Sequence, residues 1–178
     1  MDDVVTILAS TLRLSVPLIL CALAGVLSER SGVIDLGLEG KMLATAFAAA
    51  SVAAVSRSLP LALLVAVAVG VAVSMLQGYG CVSHRGDQVV MGMAITMTAA
   101  GLTVVLGIAW FAQGGQTPTL PDSVRLDATG FVVLAFALVG AVWWLLYRTR
   151  LGLRWRATGE NPAMVDAAGV SVLGLRYL

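Results

Sequence analysis

The charged residues best placed to do chemistry lie in a polar stretch between two apolar runs, from Ser28 to Lys41, SERSGVIDLGLEGK. Asp35 and Glu39 supply two carboxylates there, with Gly37 between them. A carboxylate removed from water must be paired, hydrogen-bonded or protonated, and it can accept hydrogen bonds from hydroxyl groups. Glu39 can serve in the same way as Asp35, or it can pair with Arg30 or Lys41.

A second polar segment, from Arg148 to Arg176, follows a long apolar run and is strongly basic. Against five arginines it carries only two acidic residues, Glu160 and Asp166. Such an excess of positive charge is retained on the cytoplasmic side of membranes. The segment therefore predicts a cytoplasmic surface, and its arginines are Arg148, Arg150, Arg154, Arg156 and Arg176.

The remaining reactive residue types do not form a recognisable catalytic or metal-binding pattern. His84 is the single histidine and lies in a polar turn, while Cys21 and Cys81 are sixty residues apart and suit apolar packing positions. A glycine-rich loop ending in Lys-Ser or Lys-Thr is missing from the sequence, so no nucleotide site is predicted. We predict no catalytic residue, no metal and no cofactor.

The composition sets the class of protein. Hydrophobic residues make up 59% of the 178, charged residues only 12%, and the mean hydropathy is +0.94, whereas a soluble domain carries about 25% charged residues. The apolar residues form long runs, for which the solvent is lipid. A net charge of +1 argues against a nucleic-acid binder. The prediction is an all-α, polytopic integral membrane bundle.

The apolar runs predict about five to six membrane segments. The second run has only some fifteen residues, below the roughly 17 to 25 that span a bilayer, and glycines at 32, 37 and 40 interrupt the polar stretch before it. These features favour a broken or re-entrant element near residues 28–41, although an ordinary hydrophilic loop is the alternative. The predicted apolar runs are Val4–Leu27, Met42–Ser56, Leu59–Tyr79, Val89–Ala112 and Gly130–Tyr147.

The orientation follows from the end of the last run. Trp143, Trp144 and Tyr147 precede the arginines, as expected of an aromatic belt beside a cytoplasmic flank. If each run crosses once, the glycine- and proline-containing loop at 113–129 is external and the turn at 83–88 is internal. The broken element leaves the side of the N-terminus open.

Two long motifs carry a resemblance to a known family: GVLSERSGVIDLGLEGKML at 25–43 and RATGENPAMVDAAGV at 156–170. With them the chain resembles the permease subunits of bacterial ABC importers of the branched-chain amino acid and ribose type. It is nearest to the nucleoside permeases that work with basic-membrane-protein-type receptors, or to simple-sugar permeases, whose Ile-Asp-Leu pattern Asp35 matches. The resemblance implies a permease pathway with Asp35, Gly37 and Glu39 as candidate lining residues.

The resemblance also implies that residues 148–178 form a cytoplasmic coupling segment of one permease domain that covers the chain. Asn161 can cap a short helix whose first turn tolerates Pro162, and Gly169 can end that helix after about two turns. A membrane-surface helix without a partner is the alternative. The implied ATPase-coupling residues are Gly159, Glu160, Asn161, Pro162, Ala163 and Gly169.

The implied protein lies in the bacterial inner (cell) membrane and is not itself an enzyme, since a separate ATP-binding subunit hydrolyses ATP. Its other implied partners are a second permease subunit, identical or different, an extracytoplasmic solute-binding protein and the lipid bilayer. Family members are longer, so we expect the sequence to be incomplete at its C-terminus. A secondary transporter or channel without an ATPase is the alternative function. An integral membrane enzyme would need a cluster of titratable groups that the chain lacks.

Overall fold

The computed structural model describes residues 2–114, 116, 117, 119 and 128–177. The described residues form eight α-helices and one short π-helical turn, Tyr79–Ser83, and no strand. Most of the predicted external loop at 113–129 lies outside the described residues. The helices are α1 Asp2–Arg30, α2 Leu38–Ser56, α3 Leu59–Gly78, α4 Gln88–Phe111, α5 Ala128–Arg148, α6 Arg150–Glu160, α7 Pro162–Ala167 and α8 Val172–Tyr177.

The first five helices are long and apolar enough to cross a membrane. In the most apolar 18-residue stretch of each helix, only 6% to 17% of the residues are buried by the rest of the protein. Most of the apolar side chains therefore point outward. An outward apolar face is stable only against lipid or another apolar protein surface. The prediction of an all-α polytopic membrane bundle is confirmed for the part of the chain that the structure describes.

The second membrane segment corrects one prediction. The run was expected to begin at Met42 and to be too short to span, but α2 begins at Leu38 and has 19 residues. Helix α1 likewise continues through Arg30, so the break in the helices covers only residues 31–37. The glycine at position 40 lies within α2 and does not interrupt it. The backbone of α4 approaches closely at this position.

The described residues between 35 and 119, together with Tyr177, form one compact unit, in which α2 packs against both α3 and α4. The buried face of α4 consists mainly of small residues three or four positions apart, which allow helix backbones to approach in a membrane. A Cβ at Gly40 would lie 2.5 Å from the Cα of Thr96, so this crossing requires glycine. The buried residues of α4 are Gly92, Ile95, Ala99, Thr103 and Gly107.

Residues 2–34 and 128–176 form the other compact unit. Here α1 packs along α5 and also contacts α6, which follows α5 directly. Thr149 separates these two helices and caps α6, because its hydroxyl oxygen accepts a hydrogen bond from the Gly152 N–H at 3.1 Å. The indole N–H of Trp155 donates to the Leu175 carbonyl at 2.8 Å, which ties α6 to α8.

Candidate functional site

The carboxylate of Asp35 lies at the centre of a buried polar cluster in the unit that contains α2, α3 and α4. Its Oδ2 is 2.5 Å from the Lys41 ammonium nitrogen, and the two side chains are 9% and 14% exposed. Its Oδ1 accepts hydrogen bonds from the Gly37 N–H at 3.0 Å and from the Gln77 amide at 2.9 Å. Three donors therefore hold this carboxylate, which is the condition under which a charge is tolerated away from water.

The cluster fixes the start of α2 against α3. Asp35 precedes the helix and Lys41 lies in its first turn, whereas Gln77 comes from the last turn of α3. Gln77 is 3% exposed, and its Oε1 has no hydrogen-bond partner among the described residues. The arrangement neutralises the charge of Asp35 locally and leaves one buried acceptor unused.

The three predicted pathway residues differ in their surroundings. Asp35 and Gly37 lie together, because the Gly37 N–H donates to the Asp35 carboxylate. Glu39 is exposed on α2 and forms no ion pair with any described residue. Lys41, one of the two partners considered for Glu39, pairs with Asp35 instead.

Sequence reasoning missed Gln77 as a member of the cluster. It is a polar residue near the end of the third apolar run, and a polar side chain inside a membrane segment marks a candidate functional position. That signal was present in the sequence. The sequence did not indicate that Gln77 contacts Asp35, because the two residues are 42 positions apart in the chain.

The predicted coupling residues form a corner between α6 and α7 in the other unit. Gly159 and Glu160 end α6, Asn161 stands at the junction, and Pro162 begins α7. The Asn161 side chain accepts a hydrogen bond from the Met164 N–H at 3.2 Å. Gly169, with a φ of +79°, lies just beyond the end of the helix. The predicted short helix with an Asn cap, a Pro in its first turn and a terminating Gly is confirmed.

This corner is open to a partner on one side and attached to α1 on the other. The residues from 159 to 164 are exposed, Met164 by 70%, whereas Val165 is buried. A Cβ at Gly159 would lie 2.6 Å from the Arg30 carbonyl oxygen and 3.2 Å from the Gly32 nitrogen. Gly32 itself has a φ of +81°. The two motifs that carry the family resemblance therefore meet at the backbone of these glycines.

The polar groups of both regions are suited to hydrogen bonding and ion pairing. The described residues contain no group of three or more His, Cys, Asp or Glu that could hold a metal ion. The first region offers a neutralised charge among apolar helices, and the second offers an exposed short helix beside a basic segment.

The sequence is similar to a known permease family over most of its length. Residues 7–178 match the family described as the permease component of the branched-chain amino acid transport system. The chain is 34% identical to a putative glucose ABC transporter permease of Haloferax volcanii, over 97% of its own length and 57% of the relative's. No solved structure matches it.

Two further relatives are named for nucleosides. The chain is 34% identical to a guanosine ABC transporter permease of Bacillus subtilis, over 99% of its own length and 64% of the relative's. It is 30% identical to a nucleoside ABC transporter permease of Lactococcus lactis, over 96% and 61%. It thus spans 57% to 64% of the length of these relatives. The chain belongs to the permease component family of the branched-chain amino acid transport system, a family of multi-pass membrane proteins.

Proposed function

We propose that the chain is part of the transmembrane subunit of an ATP-driven importer for nucleosides or related sugar-containing solutes. The observation that carries the proposal is the corner between α6 and α7, a capped helix of six residues whose outer side is exposed. A secondary transporter has no use for such a surface. The names of the relatives, which include guanosine, nucleoside and glucose permeases, support the solute class.

ATP hydrolysis belongs to a separate subunit in this proposal. The sequence has no phosphate-binding glycine loop, and the corner presents a polar start followed by small and flexible side chains. Ala163 and Met164 are both exposed there, and methionine adapts well to a groove on a partner. Gly159, Glu160, Asn161, Pro162, Ala163 and Gly169 form the docking surface for the ATP-binding subunit.

The solute pathway follows the start of α2. Asp35 and Gly37 position this element, because the carboxylate of Asp35 is occupied by Gly37, Lys41 and Gln77. The exposed carboxylate of Glu39 forms no ion pair with a described residue, and in this proposal it accepts hydrogen bonds from solute hydroxyls. A second permease subunit, identical or different, covers outward apolar helix faces and completes the pathway, and an extracytoplasmic binding protein delivers the solute.

The test is copurification of the full-length permease with the ATPase and the receptor protein expressed from neighbouring genes. The variant Glu160→Gln with Pro162→Ala should reduce the ATPase retained by the permease at least tenfold. A matched control is Glu29→Gln with Pro60→Ala, which changes an exposed glutamate and a proline in the first turn of α3. The control should retain the ATPase.

The same preparations separate the two candidate functions. Receptor-stimulated ATP hydrolysis that disappears in the Glu160/Pro162 variant supports the importer. If the wild-type full-length permease never retains an ATPase, the importer proposal fails and a secondary transporter takes its place. Nucleoside uptake in vesicles, compared with glucose uptake, then tests the solute class separately from coupling.

A further inference from the structure

Four arginines at the junction of α5 and α6 have no acidic partner among the residues that the structure describes. Arg148 ends α5, and Arg150, Arg154 and Arg156 lie on α6; we call these four residues the arginine surface. The first three are exposed, and none of the four forms an ion pair with a described residue. Their charge is therefore available to an anion from outside the chain.

The placement of these residues on α6 is unfavourable in the absence of an anion. Arg150 and Arg154 are four positions apart, so they are neighbours on one helix face and repel each other. Arg150 also lies in the first turn, where the helix dipole disfavours a cation and where no acidic residue compensates. An anion bound between the two side chains offsets both the repulsion between the arginines and the unfavourable interaction of Arg150 with the helix dipole.

Arg156 adds an independent observation. Its guanidinium carbon lies 4.8 Å from the centre of the Tyr147 ring, a distance at which cation and ring attract each other. Its Nε is buried and has no hydrogen-bond acceptor among the described residues. A guanidinium held in place with an unused donor is typical of a site whose acceptor comes from a ligand.

The surroundings favour a lipid over a free anion or an acidic protein surface. Trp143 and Trp144, in the last two turns of α5, are 55% and 58% exposed. On α6, Leu151 and Leu153 are 40% and 60% exposed beside the arginines. Aromatic side chains at this position lie at the level of lipid headgroups, and exposed leucines contact acyl chains. A free phosphate makes no use of these apolar groups.

We propose that the arginine surface binds the headgroup of an anionic phospholipid of the cytoplasmic leaflet. The guanidinium groups contact the phosphate, while Trp143, Trp144, Leu151 and Leu153 contact the adjoining acyl region. This site is independent of the solute and of the ATPase, so it holds whether or not the transport proposal does. Loss of two arginines should weaken binding by about thirtyfold, the effect usual for two basic residues at an anionic membrane surface.

The experiment uses the full-length permease, purified in detergent and stripped of lipid, with binding measured by native mass spectrometry. Phosphatidylglycerol and cardiolipin are the anionic probes, phosphatidylcholine is the neutral probe, and inorganic phosphate is the free anion. The test variant is Arg150→Gln with Arg154→Gln. The matched control is Arg57→Gln with Arg85→Gln, which removes the same charge at two other exposed positions.

The expected result is preferential binding of the anionic lipids that weakens with added salt, falls about thirtyfold in the test variant and is unchanged in the control. If the test variant does not fold, Arg150→Lys with Arg154→Lys keeps the charge and should keep most of the binding. Equal binding of neutral and anionic lipids would overturn the proposal. So would equal occupancy by inorganic phosphate, or lipid binding that is unchanged in the test variant.

Discussion

The charged and polar groups of the cluster around Asp35 differ in pairing and exposure from those of the corner around Asn161. At Asp35 the charge is neutralised within the chain, by Lys41 at 2.5 Å and by two further donors. At the corner and the arginine surface most polar groups face outward, and the arginines form no ion pair with a described residue. The difference indicates that the polar groups of the first region stabilise its structure, whereas those of the second are accessible to other molecules.

The physical reason is the surrounding medium. An unpaired charge among apolar helices costs several kcal/mol, so the chain itself must supply the partner. In water an unpaired arginine costs little, so it can remain free for a ligand. The comparison therefore predicts that removing one charged group lowers the free energy of unfolding strongly in the first region and only slightly in the second.

The largest effect is expected for Lys41→Met, which leaves the Asp35 carboxylate buried without its cation. We expect a loss of about 3–5 kcal/mol in the free energy of unfolding, measured by denaturant titration of the purified permease. Arg154→Met removes a cation with no carboxylate partner and should change stability by less than about 0.5 kcal/mol.

The double variant Asp35→Asn with Lys41→Met is the control for this prediction. It removes both charges together, so most of the lost stability should return. A Lys41→Met protein as stable as the wild type would mean that the pair does not hold α2 in place.

A smaller loss is expected for Gly40→Ala. The added Cβ would lie 2.5 Å from the Thr96 Cα, so α2 and α4 must move apart, at a cost of about 1–3 kcal/mol. Gly101→Ala is the control, because a Cβ there meets nothing within 4 Å and alanine favours the helix. Equal thermal stability of the two variants would contradict the close crossing of α2 and α4.

At the corner, Asn161→Ala should cost about 1 kcal/mol locally by removing the cap of α7. Because α7 is mostly exposed, the whole permease should keep its unfolding midpoint, while the amides of residues 163–167 exchange faster with solvent. Asn161→Asp keeps an acceptor and should behave like the wild type. Exchange that stays slow in the alanine variant would show that the cap does not order α7.

Little net change in the free energy of unfolding is expected for Gln77→Leu, despite the burial of Gln77. The variant loses a hydrogen bond to a carboxylate, worth about 1.5–3 kcal/mol, but it also removes a buried acceptor without a partner, which costs about 1–3 kcal/mol. The two terms nearly cancel. An unfolding midpoint lowered as far as in Lys41→Met would show that Oε1 has a partner of its own.

The sequence predicted the corner well because its signals are local. Asn161, Pro162 and Gly169 each specify backbone geometry within a few residues, and the structure has the helix that they indicate. The apolar runs predicted the membrane helices for the same reason, since length and hydropathy are properties of one segment. The functional roles of these residues remain proposals.

The buried cluster was harder to predict because its contacts join distant segments. The choice of Lys41 between Asp35 and Glu39 depends on how α2 faces α3, which supplies Gln77. The start of α2 was placed four residues too late for a similar reason. Gly40 weakens a helix taken alone, but its contact with Thr96 of α4 favours the helix in the folded chain.

The glycine contact between the corner and α1 has a mechanical consequence. Because Gly159 of α6 meets the Arg30 carbonyl without any side chain between the two backbones, a shift of this part of α6 toward α1 would bring two backbones together. No change of side-chain rotamer could relieve that contact. We therefore expect the end of α6 and the end of the first membrane helix to move together.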